Sequence, residues 1–133
     1  MKHVLFVCNH NAGRSQMAEA FFNHHAPEDV RAESAGNDPA ESIWPEVATV
    51  MGERGFDLAG REPKKVTVEM QLRADWAVAV GCDDTCPFIP TTLEEWDIPD
   101  PAGRSLAEVR EIRDLVERHV RTLLTTRLEE IRD

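Results

Sequence analysis

Cys8 and Arg14 stand at the two ends of a short polar loop, a spacing suited to chemistry on an anion. Backbone N–H groups in a loop that leads into a helix can converge on an anion, and the helix N-terminus adds partial positive charge. The planar guanidinium of Arg14 can hold two oxygens of a tetrahedral anion. The same local field favours the thiolate of Cys8, the nucleophilic form of cysteine. We predict that Cys8 is a nucleophile and that the following residues bind an oxyanion: Asn9, His10, Asn11, Ala12, Gly13, Arg14 and Ser15.

Two residues of this loop have more specific interpretations. Ser15 can donate its hydroxyl to the Cys8 thiolate. His10 is interpreted as a residue of the loop rim rather than a general base, because a thiolate in such a field does not require one. In the alternative interpretation Cys8 is a small hydrophobic residue at a strand end and Arg14 lies on the surface. That alternative leaves the polar loop without a purpose.

Cys82 and Cys86 follow an apolar run over 76–80 and lie in a loop with Asp and Thr residues. Buried structural thiols would stand within an apolar stretch, and these two do not. Zinc binding would need two more ligands, which Cys8 and His10 could supply. Zinc at that place would block the anion loop, so chemistry at the thiols is favoured over a metal site.

The elements that must position these residues follow from hydrophobic periodicity. Apolar runs over 2–7, 30–34, 76–80 and 93–98 predict strands, and stretches over 14–25, 46–54, 66–72 and 105–132 predict helices. Ser105 followed by Glu108 is a capping-box pattern. Strands that alternate with helices indicate a parallel sheet covered on both faces, with ligands at the carboxyl ends of its strands. Cys8, the later cysteine pair and Asp100 should therefore share one rim.

The composition limits the classes of function. A chain of 133 residues without internal repeats predicts a single domain over 1–133. A net charge of −10 argues against nucleic-acid binding and requires any anion site to be locally positive. The apolar run at the N-terminus is too short for a signal sequence and no apolar run is long enough for a membrane span, so we expect a soluble, cytoplasmic protein. Thiols stay reduced in that compartment, which favours chemistry over structural disulfides. A small acidic chain is most simply a monomer.

Several motifs together resemble a known family. The segment from Val4 to Cys8 and on through Phe21 resembles the phosphate-loop region of the low-molecular-weight tyrosine phosphatase superfamily. The run Arg-Ser-Gln-Met-Ala-Glu that begins at Arg14 resembles the arsenate reductase branch of that superfamily. The motifs Ser34-Ala35-Gly36 and Asp100-Pro101-Ala102-Gly103 also match that branch. The resemblance covers essentially the whole chain.

This resemblance implies a fold, a reaction and a set of roles. The fold would be α/β, a Rossmann-like, three-layer arrangement with a four-stranded parallel sheet and helices on both faces. The reaction would be reduction of arsenate to arsenite, with phosphate or sulfate as competing oxyanions and no metal or organic cofactor. Asp100 matches the family's general acid, which would protonate the departing oxygen. Asp97 is interpreted as a solvated turn residue.

The thioredoxin-coupled arsenate reductases also imply a role for the cysteine pair. Cys82 would attack the adduct at Cys8, and Cys86 would then take over the disulfide, each step being thiol–disulfide exchange. Thioredoxin would regenerate the pair. The spacing of Cys82 and Cys86 is shorter than in some relatives.

Two alternatives remain open at this stage. A phosphotyrosine phosphatase would use Cys8, Arg14 and Asp100 in the same roles, with water as the final acceptor. That branch usually surrounds its acid with aromatic residues, whereas this chain has no Tyr and continues after Asp100 with Pro-Ala-Gly. A zinc-binding or thiol-switch regulatory protein is the alternative from a different class.

One departure from the family concerns a cation. Some relatives bind potassium beside the phosphate loop, and three of the residues involved match Asn11, Glu19 and Ser34 here. Where those relatives carry an acid, this chain has Lys64-Lys65. We expect an ammonium group to neutralise Glu19, and activity to be independent of potassium.

Overall fold

A parallel β-sheet lies at the centre of the structure, a computed structural model that describes residues 1–81 and 93–133. Its strands are β1 (Lys2–Cys8), β2 (Val30–Gly36), β3 (Trp76–Ala79) and β4 (Leu93–Glu95). They are arranged in the order β2-β1-β3-β4, and every neighbouring pair is parallel. Cys8 therefore ends a central strand, at the carboxyl edge of the sheet. The other two cysteines, Cys82 and Cys86, lie outside the described residues.

Helices cover the two faces of the sheet unequally. They are α1 (Arg14–His25), α2 (Pro45–Gly52), α3 (Val68–Arg73) and α4 (Leu106–Arg132). The first, second and fourth helices share one hydrophobic core with the sheet, while α3 lies against the other face. This is the three-layer α/β arrangement that the sequence predicts.

The alternation of side chains along β1 explains why that strand is apolar throughout. Val4 and Phe6 enter the larger core on the side of α1 and α4. Leu5 and Val7 enter the smaller cluster on the side of α3. Successive residues of a strand point to opposite faces, so a central strand with two covered faces has no polar side.

The observed element boundaries differ from the predicted ones by a few residues. Helix α3 begins at Val68, two residues later than predicted, because Val66 N–H donates to the carbonyl of Gly36 and Thr67 then caps the helix. Strand β4 ends at Glu95 rather than 98, although Ile98 is still buried.

Helix α4 confirms the predicted capping box. The Ser105 side chain accepts from the Glu108 N–H at 3.2 Å, and the Glu108 carboxylate accepts from the Ser105 N–H at 3.2 Å. The helix is long but rich in charge. Among the described residues, no helix is long and apolar enough to cross a membrane.

A candidate oxyanion site around Cys8

The thiol of Cys8 is free, 3% exposed and in contact with two hydrogen-bonding groups. Its Sγ lies 2.8 Å from Ser15 Oγ, as the sequence predicts for that hydroxyl. It also accepts from the N–H of Asn11 at 3.2 Å. Donors directed at sulfur stabilise a negative charge there, so the local geometry suits a nucleophilic thiolate.

The carbonyl groups of residues 8–13 are all engaged by neighbouring groups. Their donors are Asn37 N, Asp38 N, Ala40 N, Gln16 Nε2, Trp44 N and Met17 N. The N–H and the C=O of a trans peptide point in opposite directions. Because the carbonyl groups of the loop point to these six donors, the N–H groups of the same peptides point to the other side of the loop. Helix α1 then starts with no side-chain cap on its first amides. Such a loop is suited to binding an anion.

Asn11 supports the loop through every polar atom of its side chain. Nδ2 donates to Ser15 Oγ at 2.8 Å and to Ser34 Oγ at 3.0 Å. Oδ1 accepts from Gln16 Nε2 at 3.0 Å and from the N–H of Lys64 at 3.0 Å. Asn11 has a φ of 50°, a conformation that Asn tolerates better than most residues. The side chain of Asn11 thus holds the loop in shape, while its backbone N–H is directed at the sulfur of Cys8.

The Arg14 side chain is buried and fixed by groups from distant parts of the chain. Nη1 donates to the carbonyl of Ile98 at 2.9 Å, and Nη2 lies 3.8 Å from Asp100 Oδ2. The guanidinium also packs on Gly81, where a Cβ atom would come within 2.0 Å of Nη1. Gly81 has a φ of 104°, so both space and conformation require glycine there. Sequence reasoning missed this residue, although its position directly before Cys82 was a possible signal.

The structure brings the predicted acid to the same place. The carboxyl group of Asp100 is 46% exposed and accepts from the N–H of Ala102 at 3.0 Å. Arg104 Nε donates to the Asp100 carbonyl at 2.6 Å, which holds the turn. Asp97 is exposed, in agreement with its interpretation as a solvated residue. The half-exposed carboxyl group of Asp100 thus lies beside Arg14 and remains accessible to solvent.

Two side chains close the loop over Gly13. A Cβ atom on Gly13 would lie 2.8 Å from Pro101 and 3.2 Å from the ring of Trp44. Trp44 is half-buried, with its ring centroid 5.9 Å from that of His10. His10 Nδ1 lies 2.9 Å from the Asp38 carbonyl oxygen, at the edge of the loop. Sequence reasoning did not identify Trp44, because its contact with the loop depends on long-range packing.

The cation that contacts Glu19 corrects one prediction. Arg61, not Lys64 or Lys65, forms the ion pair with the Glu19 carboxylate. Both lysine residues are exposed, and the backbone N–H of Lys64 binds Asn11 instead. The segment runs along the end of β2, which directs its lysine side chains to solvent.

Metal binding has limited support in the described part of the chain. Residues 1–81 and 93–133 contain no group of three or more His, Cys, Asp or Glu side chains placed to hold a metal ion. The alternative zinc set includes Cys82 and Cys86, which lie outside those residues.

Comparison with known proteins places the chain in a family. The model of the low molecular weight phosphotyrosine protein phosphatases matches residues 3–132, and the chain belongs to that family. It is 38% identical over 122 residues to a putative arsenate reductase of Halobacterium salinarum, covering 86% of this chain and 85% of that protein.

Solved structures of similar proteins have the same fold. One is a thioredoxin-dependent arsenate reductase of Corynebacterium glutamicum, with a TM-score of 0.80 and 33% identity over 99% of this chain and 62% of that one. Another is an arsenate reductase of Archaeoglobus fulgidus, with a TM-score of 0.79 and 35% identity over 92% of this chain and 98% of that one. The present chain thus spans about three-fifths of the Corynebacterium chain and nearly all of the Archaeoglobus one.

Proposed function

We propose that this protein is an arsenate reductase in which Cys8 attacks arsenic and a cysteine pair carries the oxidising equivalents to thioredoxin. The observation that carries the proposal is the buried Cys8 thiol, held by Asn11 and Ser15 in a loop whose carbonyls are all engaged elsewhere. The similarity to arsenate reductases supports the choice of substrate.

In the first step the Cys8 thiolate forms a bond to arsenic and one As–O bond breaks. Arg14 and the amides of residues 9–15 hold the remaining oxygens. Asp100 protonates the departing oxygen, which leaves as water or hydroxide. Arsenic is still in its oxidised form at this stage, bound to sulfur.

Reduction takes place in the second step. The Cys82 thiolate attacks the sulfur of Cys8, and the electron pair of the As–S bond passes to arsenic, which leaves as arsenite. A disulfide now joins Cys8 and Cys82. Cys86 attacks the sulfur of Cys82, which frees the Cys8 thiolate and leaves a disulfide between Cys82 and Cys86. A thioredoxin dithiol reduces that disulfide by two electrons.

Residues 1–133 would form a single domain, supported by the family match over 3–132. The protein would act as a cytoplasmic monomer without a metal or organic cofactor. Phosphate and sulfate would compete with arsenate because they share its tetrahedral shape.

The experiment is arsenate-dependent NADPH consumption with thioredoxin and thioredoxin reductase. We expect no turnover for Cys8→Ser and Cys82→Ser, and at most one turnover for Cys86→Ser. Ser42→Ala, a substitution at an exposed loop position, should keep the wild-type rate. A wild-type rate for Cys86→Ser would rule out the three-thiol relay, and dependence on glutaredoxin would rule out thioredoxin as donor.

Phosphatase activity is a second candidate because Cys8, Arg14 and Asp100 are sufficient for it and Trp44 adds an aromatic side chain beside Gly13. Hydrolysis of p-nitrophenyl phosphate by Cys82→Ser separates the two functions. We expect slow hydrolysis that survives this substitution while arsenate reduction is lost. Hydrolysis of a phosphotyrosine peptide far faster than arsenate reduction would favour the phosphatase.

A regulatory zinc protein makes a different prediction. Protein purified under reducing conditions would contain stoichiometric zinc, and its removal would change folding or partner binding. We expect metal analysis to find none bound.

A further inference from the structure

We infer that Arg61 is a positioning residue for Cys8, although it does not touch the thiol. Three hydrogen-bonded side chains connect the two residues: Glu19, Ser34 and Asn11. The inference deepens the proposed function, because it assigns a role in the same reaction to a residue outside the loop.

The connection begins at the ion pair and ends at sulfur. Arg61 Nη1 donates to Glu19 Oε2, and Ser34 Oγ donates to Glu19 Oε1 at 2.9 Å. Asn11 Nδ2 donates to Ser34 Oγ at 3.0 Å, and the N–H of the same Asn11 donates to Cys8 Sγ at 3.2 Å. Asn11 therefore makes both contacts: its side chain binds Ser34, and its backbone N–H binds the sulfur of Cys8.

The charge on Glu19 determines the direction of these hydrogen bonds. An ionised carboxylate only accepts, so the Ser34 hydroxyl must donate to it and accept from Asn11. Asn11 then presents its amide nitrogen to Ser34 and its Oδ1 to the other side, where two donors meet it.

Arg61 makes the ionised state of Glu19 compatible with its surroundings. The Glu19 side chain is only 14% exposed, and Ser34 and Asn11 are fully buried. A poorly solvated carboxylate is costly without a counter-charge. Among the described residues, the cation paired with it is Arg61, while Lys64 and Lys65 are exposed.

Arg61 also begins the segment that holds Asn11 from its other side. The N–H of Lys64 donates to Asn11 Oδ1 at 3.0 Å. This segment is fixed to β2 because Gly36 N–H donates to the Lys64 carbonyl at 2.9 Å and Val66 N–H donates to the Gly36 carbonyl at 3.0 Å. Loss of the ion pair would loosen both supports of Asn11.

The first test measures Cys8 directly and does not depend on the substrate. In a Cys82→Ser/Cys86→Ser background Cys8 is the only cysteine, and its alkylation by iodoacetamide can be followed by mass spectrometry. We expect Arg61→Ala to slow alkylation by roughly tenfold, since displacement of Asn11 removes a donor from the thiolate. Arg61→Lys, which keeps the charge, should restore most of the rate.

The matched control is Arg127→Ala, which removes an arginine that pairs with Glu130 at the exposed end of α4. It should leave the alkylation rate unchanged.

A cavity of about 220 Å³ is lined by Glu19 together with Gln16, Arg61, Glu62 and Lys64. Millimolar guanidinium should therefore reach Glu19 in Arg61→Ala and recover part of the rate, with no effect on Arg127→Ala.

Removal of the charge on Glu19 separates positioning from packing. In a Glu19→Gln background the amide still accepts from Ser34 and needs no counter-charge, so Arg61→Ala should have little further effect. An equal loss in both backgrounds would overturn the inference, as would an alkylation rate within about twofold of the control in the original background. Should Arg61→Ala fail to fold, Arg61→Gln, which removes the charge but keeps more of the side chain, is compared in both backgrounds and decides in the same way.

The second test measures arsenate reduction in protein that keeps all three cysteines. Arg61→Ala should lower kcat for arsenate by on the order of tenfold and leave KM nearly unchanged, because Arg61 acts on the nucleophile rather than on bound substrate. A change in KM alone would contradict a positioning role. If the wild-type protein does not reduce arsenate, the proposed function fails while the alkylation result still decides the role of Arg61.

Discussion

At the scale of single residues, Arg14 shows how a side chain is prepared before the anion arrives. Its guanidinium is buried, bound to the Ile98 carbonyl and close to the Asp100 carboxylate. A planar fork with several donors can keep these contacts and still present N–H groups to an oxyanion, which an ammonium group cannot do.

Arg14→Lys should therefore lower kcat/KM for arsenate by on the order of a hundredfold, the effect of losing a preorganised donor. Steady-state kinetics with the thioredoxin system measures this. Arg127→Lys, at the exposed end of α4, serves as the control and should behave like the wild type. Unchanged kinetics in Arg14→Lys would mean that Arg14 does not bind the oxyanion.

Gly81 leads to a second prediction at this scale. A Cβ atom would lie 2.0 Å from Arg14 Nη1, so Gly81→Ala must displace the guanidinium. We expect kcat/KM to fall by roughly tenfold or more. Gly55 has a φ of 85° and open space around it, so Gly55→Ala has comparable backbone strain without the clash. Equal kinetic effects of the two substitutions would show that backbone strain alone is responsible.

At the scale of elements, α4 is determined by local signals that the structure reproduces. Its N-cap at Ser105 and its end at Arg132 agree with the sequence pattern. The capping box satisfies backbone donors that would otherwise be left unpaired at the helix N-terminus.

Ser105→Ala should lower the free energy of unfolding by about 1 kcal/mol, as expected for the loss of an N-cap. Urea denaturation measures this change. Ser42→Ala, at an exposed loop position, is the matched control. Arsenate reduction should stay unchanged, and no difference in stability between the two variants would show that the cap contributes nothing.

At the scale of the whole molecule, an ion-pair cluster joins α1, α4 and the segment after α2. Glu117 of α4 contacts His25 Nε2 at 2.9 Å and Arg54 Nη1 at 2.9 Å. Burial alone would raise the pKa of Glu117, but the hydrogen bonds from Arg54 and His25 outweigh it and lower the pKa to about 2. The carboxylate is thus more acidic in the folded protein than in the unfolded chain.

This lowered pKa predicts an acid-sensitive stability. The contribution of Glu117 is fully present above the ordinary carboxyl pKa of 4.5 and is lost as the pH falls towards about 2. Glu117→Gln should lower the free energy of unfolding at pH 7 by roughly 2 kcal/mol and flatten its decline with acid. Urea denaturation between pH 7 and pH 3 measures both. Glu130→Gln, on the exposed end of α4, is the control, and parallel pH profiles for all three proteins would contradict the prediction.

The sequence by itself determined the features that depend on local pattern. The order of strands and helices follows from hydrophobic periodicity, and the place of Cys8 between a buried strand and the start of α1 follows from it too. The contact between Ser15 and Cys8 could also be predicted, because both belong to one short loop. The roles of Cys82 and Cys86 stay predictions, since these residues lie outside the described part of the chain.

Only the tertiary structure decided which distant groups surround that loop. The resemblance to potassium-binding relatives indicated Lys64 and Lys65 as partners of Glu19, but the fold brings Arg61 there instead. The contacts of Arg14 with Gly81 and Ile98 likewise join residues far apart in the chain. Periodicity states which face of an element is buried but not which side chains meet across elements, because those contacts depend on how the helices and loops pack on the sheet.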